Sequence, residues 1–189
     1  KRFYNFPFPN IVMNSYSPNA MAGLVYSPND KWRISGNLST GFRAPNIDDL
    51  GKVFDSEPGS VVVPNPDLSP EYAWNADINI SKTFSNSVRI EGGGFYTILT
   101  DAMQRGDYTF NDKDSIIYDG QLSKVQAIQN TGRVDVYGFN AAIYADILPN
   151  MSFKSKINYT AGEDQDGNPY RHVPPLFGST HLRFRAGKL

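Results

Sequence analysis

Glu71-Tyr72-Ala73-Trp74-Asn75-Ala76-Asp77-Ile78-Asn79-Ile80-Ser81-Lys82-Thr83-Phe84 is the most regular stretch of this chain. Tyr72, Trp74, Ala76, Ile78, Ile80 and Phe84 share one parity, broken only by Lys82, while Glu71, Asn75, Asp77, Asn79, Ser81 and Thr83 hold the other. A period of two marks a β-strand with one apolar and one polar face. Extended at about 3.3 Å per residue, the stretch spans roughly 46 Å. Strands of globular proteins usually have about 5 or 6 residues, and a tilted membrane strand needs about 9 to 11. The segment is therefore long enough to cross a bilayer and project beyond it.

The same period recurs on both sides. Downstream, a short turn at Ser85-Asn86-Ser87 leads into Val88, Ile90, Gly92, Gly94, Tyr96 and Ile98 on one parity. No helix pattern follows Gly92-Gly93-Gly94, so this run reads as a place where an aromatic of a neighbouring strand lies across the sheet, not as a phosphate loop. Upstream, Ala20, Ala22, Leu24 and Tyr26 alternate with Met21, Gly23 and Val25. Turn chemistry at Ser27-Pro28-Asn29-Asp30 then precedes Trp32, Ile34, Gly36 and Leu38, which alternate with Arg33, Ser35, Asn37 and Ser39. A third hairpin sets Tyr137, Phe139, Ala141, Ile143, Ala145 and Ile147 against Met151, Phe153, Ser155, Ile157 and Tyr159 across a turn at Pro149-Asn150, and a last strand carries Leu176, Gly178, Thr180, Leu182, Phe184 and Ala186. Arginines, asparagines and lysines on the polar faces suit a water-filled lumen better than a dry core.

The predicted long strands are one ending near Tyr26, then Trp32–Thr40, Glu71–Phe84, Val88–Leu99, Val134–Leu148, Met151–Thr160 and Leu176–Ala186. The fold class is all-β: an antiparallel up-and-down meander of about seven long strands over residues 1–189, short of the roughly 8 strands at which single-chain barrels begin, and so an arc that is part of a larger transmembrane β-barrel. Such an arc leaves its first and last strands without a partner on one side. The connections alternate short and long, as periplasmic turns and extracellular loops do. The long ones fall at about 41–70, 100–132 and 161–175. Tyr26 and Trp32 at one end, with Tyr72, Trp74 and Tyr159 at the other, fit two aromatic girdles, although aromatics are common in any strand.

The first long connection is punctuated by Pro45, Pro58, Pro64, Pro66 and Pro70, which forbid a continuous helix or an interior strand and predict a structured loop. In the second, Tyr108-Thr109-Phe110 and Ser115-Ile116-Ile117-Tyr118 flank Asn111-Asp112-Lys113-Asp114 and read as a small hairpin, while Gln121–Asn130 is open between helical turns and strand or coil.

Composition excludes several classes. Nothing approaches the roughly 18 consecutive apolar residues of a membrane helix. A formal net charge of -1 offers no footprint for nucleic acid, and the absence of cysteine removes disulfides and cysteine-based zinc sites. Lys1-Arg2-Phe3-Tyr4-Asn5 carries no secretory signal and the chain stops just after a strand pattern, so the sequence reads as an internal piece of a longer protein. Phe3, Tyr4, Phe6 and Phe8 are open between a ligand-contacting patch and packing on the rim.

Two short boxes flank the first long connection: Phe42-Arg43-Ala44-Pro45 and Asn65-Pro66-Asp67-Leu68. The pair resembles the FRAP and NPDL boxes of TonB-dependent outer-membrane receptors. Gly94-Phe95-Tyr96-Thr97, Asn130-Thr131-Gly132 before Tyr137-Gly138, and Arg171-His172-Val173-Pro174-Pro175 look like later parts of the same barrel. The resemblance covers about Trp32 to Leu189. It implies residence in the bacterial cell outer membrane and uptake of a scarce nutrient, an iron chelate or haem first. It also implies power from TonB through a plug absent from this chain, with no catalysis, no cofactor and no resident metal. The competing reading is a soluble or surface β-sheet adhesion or binding protein without transport.

Candidate ligand-binding residues are Arg43, Asn46, Tyr108 and His172. Arg43 and Asp67 serve either as ligand groups or as pins holding the loop to the rim. Haem receptors of this family commonly carry a histidine between the two boxes, and this sequence has none there; His172 is the substitute, or a structural rim residue. Asp164-Gln165-Asp166-Gly167-Asn168 resembles the front of a calcium loop, but its expected glutamate is replaced by Pro175, which favours a plain acidic turn. Ser179 and His181 lie two apart on one strand face, roughly 7 Å by strand rise, too far for direct contact as nucleophile and base.

Overall fold

A computed structural model describes residues 13, 14, 16–170 and 173–186. Two compact units emerge: one takes Phe42–Tyr72 and Thr100–Gly132 with the N-terminal residues, the other Asn19–Gly41, Ala73–Leu99 and Arg133–Leu189.

The larger unit is built on a seven-stranded sheet. Its strands are β1 (Met21–Asn29), β2 (Trp32–Arg43), β5 (Glu71–Phe84), β6 (Val88–Thr100), β10 (Val134–Leu148), β11 (Met151–Asp164) and β12 (Phe177–Phe184), ordered β1-β2-β5-β6-β10-β11-β12. Sequence neighbours in this set are sheet neighbours, the meander expected from the period-two segments, and β1 and β12 are its edges. Long regular registers hold it: Val134 to Leu148 pairs antiparallel with Asp164 to Met151. The turns also agree. Ser85 takes a left-handed φ of 48° between β5 and β6, and Pro28 falls at a register irregularity of edge strand β1, where its missing N–H costs no ladder bond.

The faces of this sheet invert those of a soluble protein. On β5, Trp74 is 60% exposed and Ile78 53% exposed, while Asn75 and Asp77 between them are half-buried. The polar face satisfies itself. Asp77 accepts hydrogen bonds from the side-chain amides of Asn37 (3.2 Å), Asn75 (3.3 Å) and Asn79 (3.0 Å), and Thr97 donates to Asn75 at 2.7 Å. An apolar face turned outward with a hydrogen-bonded polar face behind it is stable where the surroundings are lipid and the interior is wet.

Close packing differs at one point from the sequence expectation. Among the described residues it is not an aromatic that a Cβ would meet along Gly92-Gly93-Gly94: one at Gly93 would run into the Asn79 and Asn140 side chains, and one at Gly92 would meet only the Asn140 carbonyl at 3.8 Å. The aromatic lies one strand over, where the Phe95 ring covers Gly138, 2.8 Å from where a Cβ would stand.

The smaller unit has its own sheet and core. Strands β3 (Phe54–Glu57), β4 (Ser60–Val62), β9 (Gln121–Asn130) and β7 (Met103–Asp107) lie in that order, and β8 (Ser115–Tyr118) also pairs with β9. Three expectations need correction here. Pro58 and Pro64 do not exclude an interior strand, because three-residue β4 fits between them, paired with β3 on one side and parallel to β9 on the other. A five-residue helix, α1 (Ile47–Gly51), fits after Pro45 in the same way. Ser115–Tyr118 pairs antiparallel with the start of β9, from Lys124 to Gln121, rather than with Tyr108–Phe110, so the residues left open between helix and strand form the central strand. Val61, Val63, Phe110, Val125 and Ala127 make the buried cluster, with Tyr108, Ile116 and Tyr118 packed against it.

Candidate functional site

Each of the two boxes is held in the smaller unit by its own polar clamps. Asn46 caps α1, its side-chain oxygen accepting from the N–H groups of Asp48 (2.8 Å) and Asp49 (3.0 Å), while the Asp49 carboxylate accepts from the Asn46 N–H at 3.0 Å. This reciprocal pair is a capping box. The other task of Asp49 is to hold Arg43, whose Nη2 lies 3.0 Å from its carboxylate. On the opposite side Nη1 of Arg43 is 3.6 Å from Glu71, and the second oxygen of Glu71 accepts the Met103 N–H at 2.9 Å. Arg43 therefore ties the start of the first long connection to its end, and Glu71 carries the tie into the second.

The second box is held from within. Buried Asn65 donates to the Ile128 carbonyl at 2.8 Å and accepts the Asp67 N–H at 3.1 Å. Asn130 fastens the residues after the box, accepting from the Ser69 N–H at 2.8 Å and donating to the carbonyls of Ser69 (2.9 Å) and Asp101 (2.6 Å). Leu68 is buried beside Leu50 and Met103. Of the box residues, Pro45 is buried, Phe42 is exposed and tilted against Tyr72 at 6.5 Å, Ala44 and Pro66 are half-buried, and the Asp67 side chain is exposed.

The proposed ligand residues are thus placed unequally. Arg43 and Asn46 are engaged by Asp49, although Arg43 remains 48% exposed. Tyr108 is half-buried, its hydroxyl 3.5 Å from Asn65. Burial, with the nearby Asp67 carboxylate, raises its phenol above the ordinary value of 10.0. His172 lies outside the described residues, as do Phe3, Tyr4, Phe6 and Phe8. Asp49, Glu71 and Asn130 do most of the joining and were not singled out from sequence; the spacing of Asn46 and Asp49 is the signal that would have found the first of them.

Other chemistry is not assembled. Asp164 accepts the N–H groups of Asp166 and Asn168 at 2.9 and 2.8 Å and the Asn168 amide as well, so the acidic turn closes on itself. Ser179 and His181 face Lys156 and Lys154 of β11 instead of each other. Among the described residues no three acidic, histidine or cysteine side chains converge on a metal position.

Residues 2–188 match the family described as TonB dependent receptor-like, beta-barrel. The chain belongs to the TonB-dependent receptor β-barrel family. That membership places it in the bacterial outer membrane. The "Iron-regulated outer membrane virulence protein" of Vibrio cholerae serotype O1 is 24% identical over 148 residues, which are 76% of this chain and 22% of that protein. The chain thus spans about a fifth of the length of this curated relative. Among solved structures, the siderophore receptor PirA from Acinetobacter baumannii superposes with a TM-score of 0.69 at 17% identity, over 89% of this chain and 26% of that one. Copper transporter OprC gives 0.68 at 15% identity, over 88% and 24%. At these identities the likeness is one of fold.

Proposed function

We propose that this chain forms part of the wall and loop region of an outer-membrane receptor that takes up a scarce nutrient, with an iron chelate as the leading substrate class, driven by TonB through a plug. The observation that carries the reading is the pairing of an outward apolar sheet with a separately packed unit made from two long connections. A wall alone needs no such unit, whereas a receptor needs a shaped surface to recognise its ligand before transport. The protein makes and breaks no bond in this account; it binds, and movement of loops and plug does the rest. The iron assignment draws on the iron-regulated relative and the siderophore receptor named above. The copper transporter of similar fold shows that the architecture alone does not choose the cargo.

The test is uptake of radioactive iron by cells of the source organism grown under iron starvation, with and without the parent gene, each supplied with ferric siderophores of catecholate, hydroxamate and carboxylate type. Loss of uptake for one type in the deletion strain, restored by the gene, is the expected result. Unchanged uptake of all of them would remove the iron version. Haem is examined separately: a change in the haem absorption band on titration into the full-length receptor, lost in His172→Ala, would bring haem forward, and no change at micromolar haem would exclude it.

A further inference from the structure

The apolar parity of β5 is interrupted by Lys82, two residues before the strand ends at Phe84. Its ammonium lies 4.4 Å from the centre of the Trp32 ring and 4.5 Å from that of Phe84. Among the described residues no carboxylate reaches ion-pair distance of Lys82, and no acceptor takes the Trp32 indole N–H. An outward ammonium and an indole N–H, both donors and neither with an acceptor, suit a group that only accepts, such as a phosphate diester. Near the membrane surface a lysine costs far less than at the midplane, so this position tolerates the charge.

The same face of the same strands holds a second feature. Ala22, Gly36, Ala76 and Gly94 floor a trough walled by Leu38 and Tyr96, with a volume of about 670 Å³. It runs on into a hollow of about 410 Å³ beside Trp74 and Ile98. From Lys82 to Ala76 the strand rises roughly 20 Å; tilted by about 45° this is a descent of roughly 14 Å, close to half the about 30 Å hydrocarbon core and hence the depth of one acyl chain. The donors and the trough are independent features, spaced as the head and tail of one lipid are.

We propose that this face binds one glycerophospholipid from the leaflet bordering the short turns, its phosphate on Lys82 and Trp32 and one acyl chain in the trough. The inference rests on the outer-membrane family and not on the transported ligand, so failure of the iron reading leaves it standing. The full-length receptor, purified and delipidated in detergent, is titrated with palmitoyl-oleoyl phosphatidylglycerol and followed by native mass spectrometry. One tightly bound lipid is expected. Lys82→Gln removes a charged hydrogen-bond donor and should weaken it about tenfold. Gly94→Leu should weaken it similarly by filling the trough: a Cβ there meets only the Gly138 carbonyl at an ordinary 3.6 Å. If Lys82→Gln fails to assemble, Trp32→Phe keeps the ring, removes the N–H and carries the same expectation. Millimolar inorganic phosphate should not displace the lipid. The proposal is overturned if the parent holds no tightly bound lipid, if either the headgroup or the trough substitution leaves affinity unchanged, or if inorganic phosphate competes with the lipid.

Discussion

Arg43 sits between two carboxylates, Asp49 at 3.0 Å and Glu71 at 3.6 Å, while about half its side chain stays in solvent. Exposure limits what each pair contributes, typically about 0.2 to 1 kcal/mol. Arg43→Ala should therefore destabilise the smaller unit by about 1 kcal/mol, with Asp49→Ala and the double variant showing non-additive losses in a double-mutant cycle by denaturant titration. Additive losses would show that the guanidinium does not couple to Asp49. Tyr108 makes a pH prediction. Its folded-state pKa is raised by burial and by Asp67, so the folded state holds the proton more tightly than the unfolded one. The stabilisation is complete below the ordinary value of 10.0 and is lost as pH rises through the higher folded value. The tyrosinate absorbance difference between wild type and Tyr108→Phe should appear later than that of a free phenol, and Asp67→Asn should bring it earlier. At this scale the sequence named the boxes but not their partners, because Glu71 and Asn130 act through bonds between segments far apart in the chain.

The long strands were legible because their solvent is uniform: lipid on one face and water on the other impose a period of two without interruption. Val134–Leu148 and Glu71–Phe84 fall where the alternation put them, while β2 and β11 run on past the expected ends to Arg43 and Asp164. The strands of the smaller unit were less legible, since three to five residues carry too little periodicity and β4 meets β9 only through tertiary packing. Two substitution pairs test the strand account. Ile78→Arg places a charge on the lipid face at a cost of about 2 to 4 kcal/mol and should reduce assembly of the full-length barrel, whereas Asn79→Arg should assemble; heat-modifiable migration on gels reads both, and equal assembly would argue against the assigned faces. Gly138→Ala drives a Cβ into the Tyr159 carbonyl and the Phe95 ring, while Gly92→Ala meets only an ordinary contact. Overpacking of this kind costs about 1 to 3 kcal/mol, so Gly138→Ala should lower the urea midpoint and Gly92→Ala should leave it near wild type.

At the scale of the whole molecule, one continuous chain alternates between a sheet satisfied by lipid and a unit satisfied by its own core of Val61, Val63, Phe110, Val125 and Ala127. The sheet was readable as part of a barrel because short and long connections alternate, and the family match over residues 2–188 agrees with it. The cargo was not readable, because the residues nearest the boxes are engaged in holding the loops. The assignment of the sheet to a barrel wall depends on which face of β5 meets lipid. The chain contains no cysteine, so single cysteines at positions 75 to 80 carry a fluorophore without background from this segment. The measurement is quenching of that fluorophore by brominated phospholipid in vesicles containing the full-length receptor. Strong quenching at 76, 78 and 80 with little at 75, 77 and 79 is the predicted result; equal quenching at all six, or the opposite parity, would contradict it.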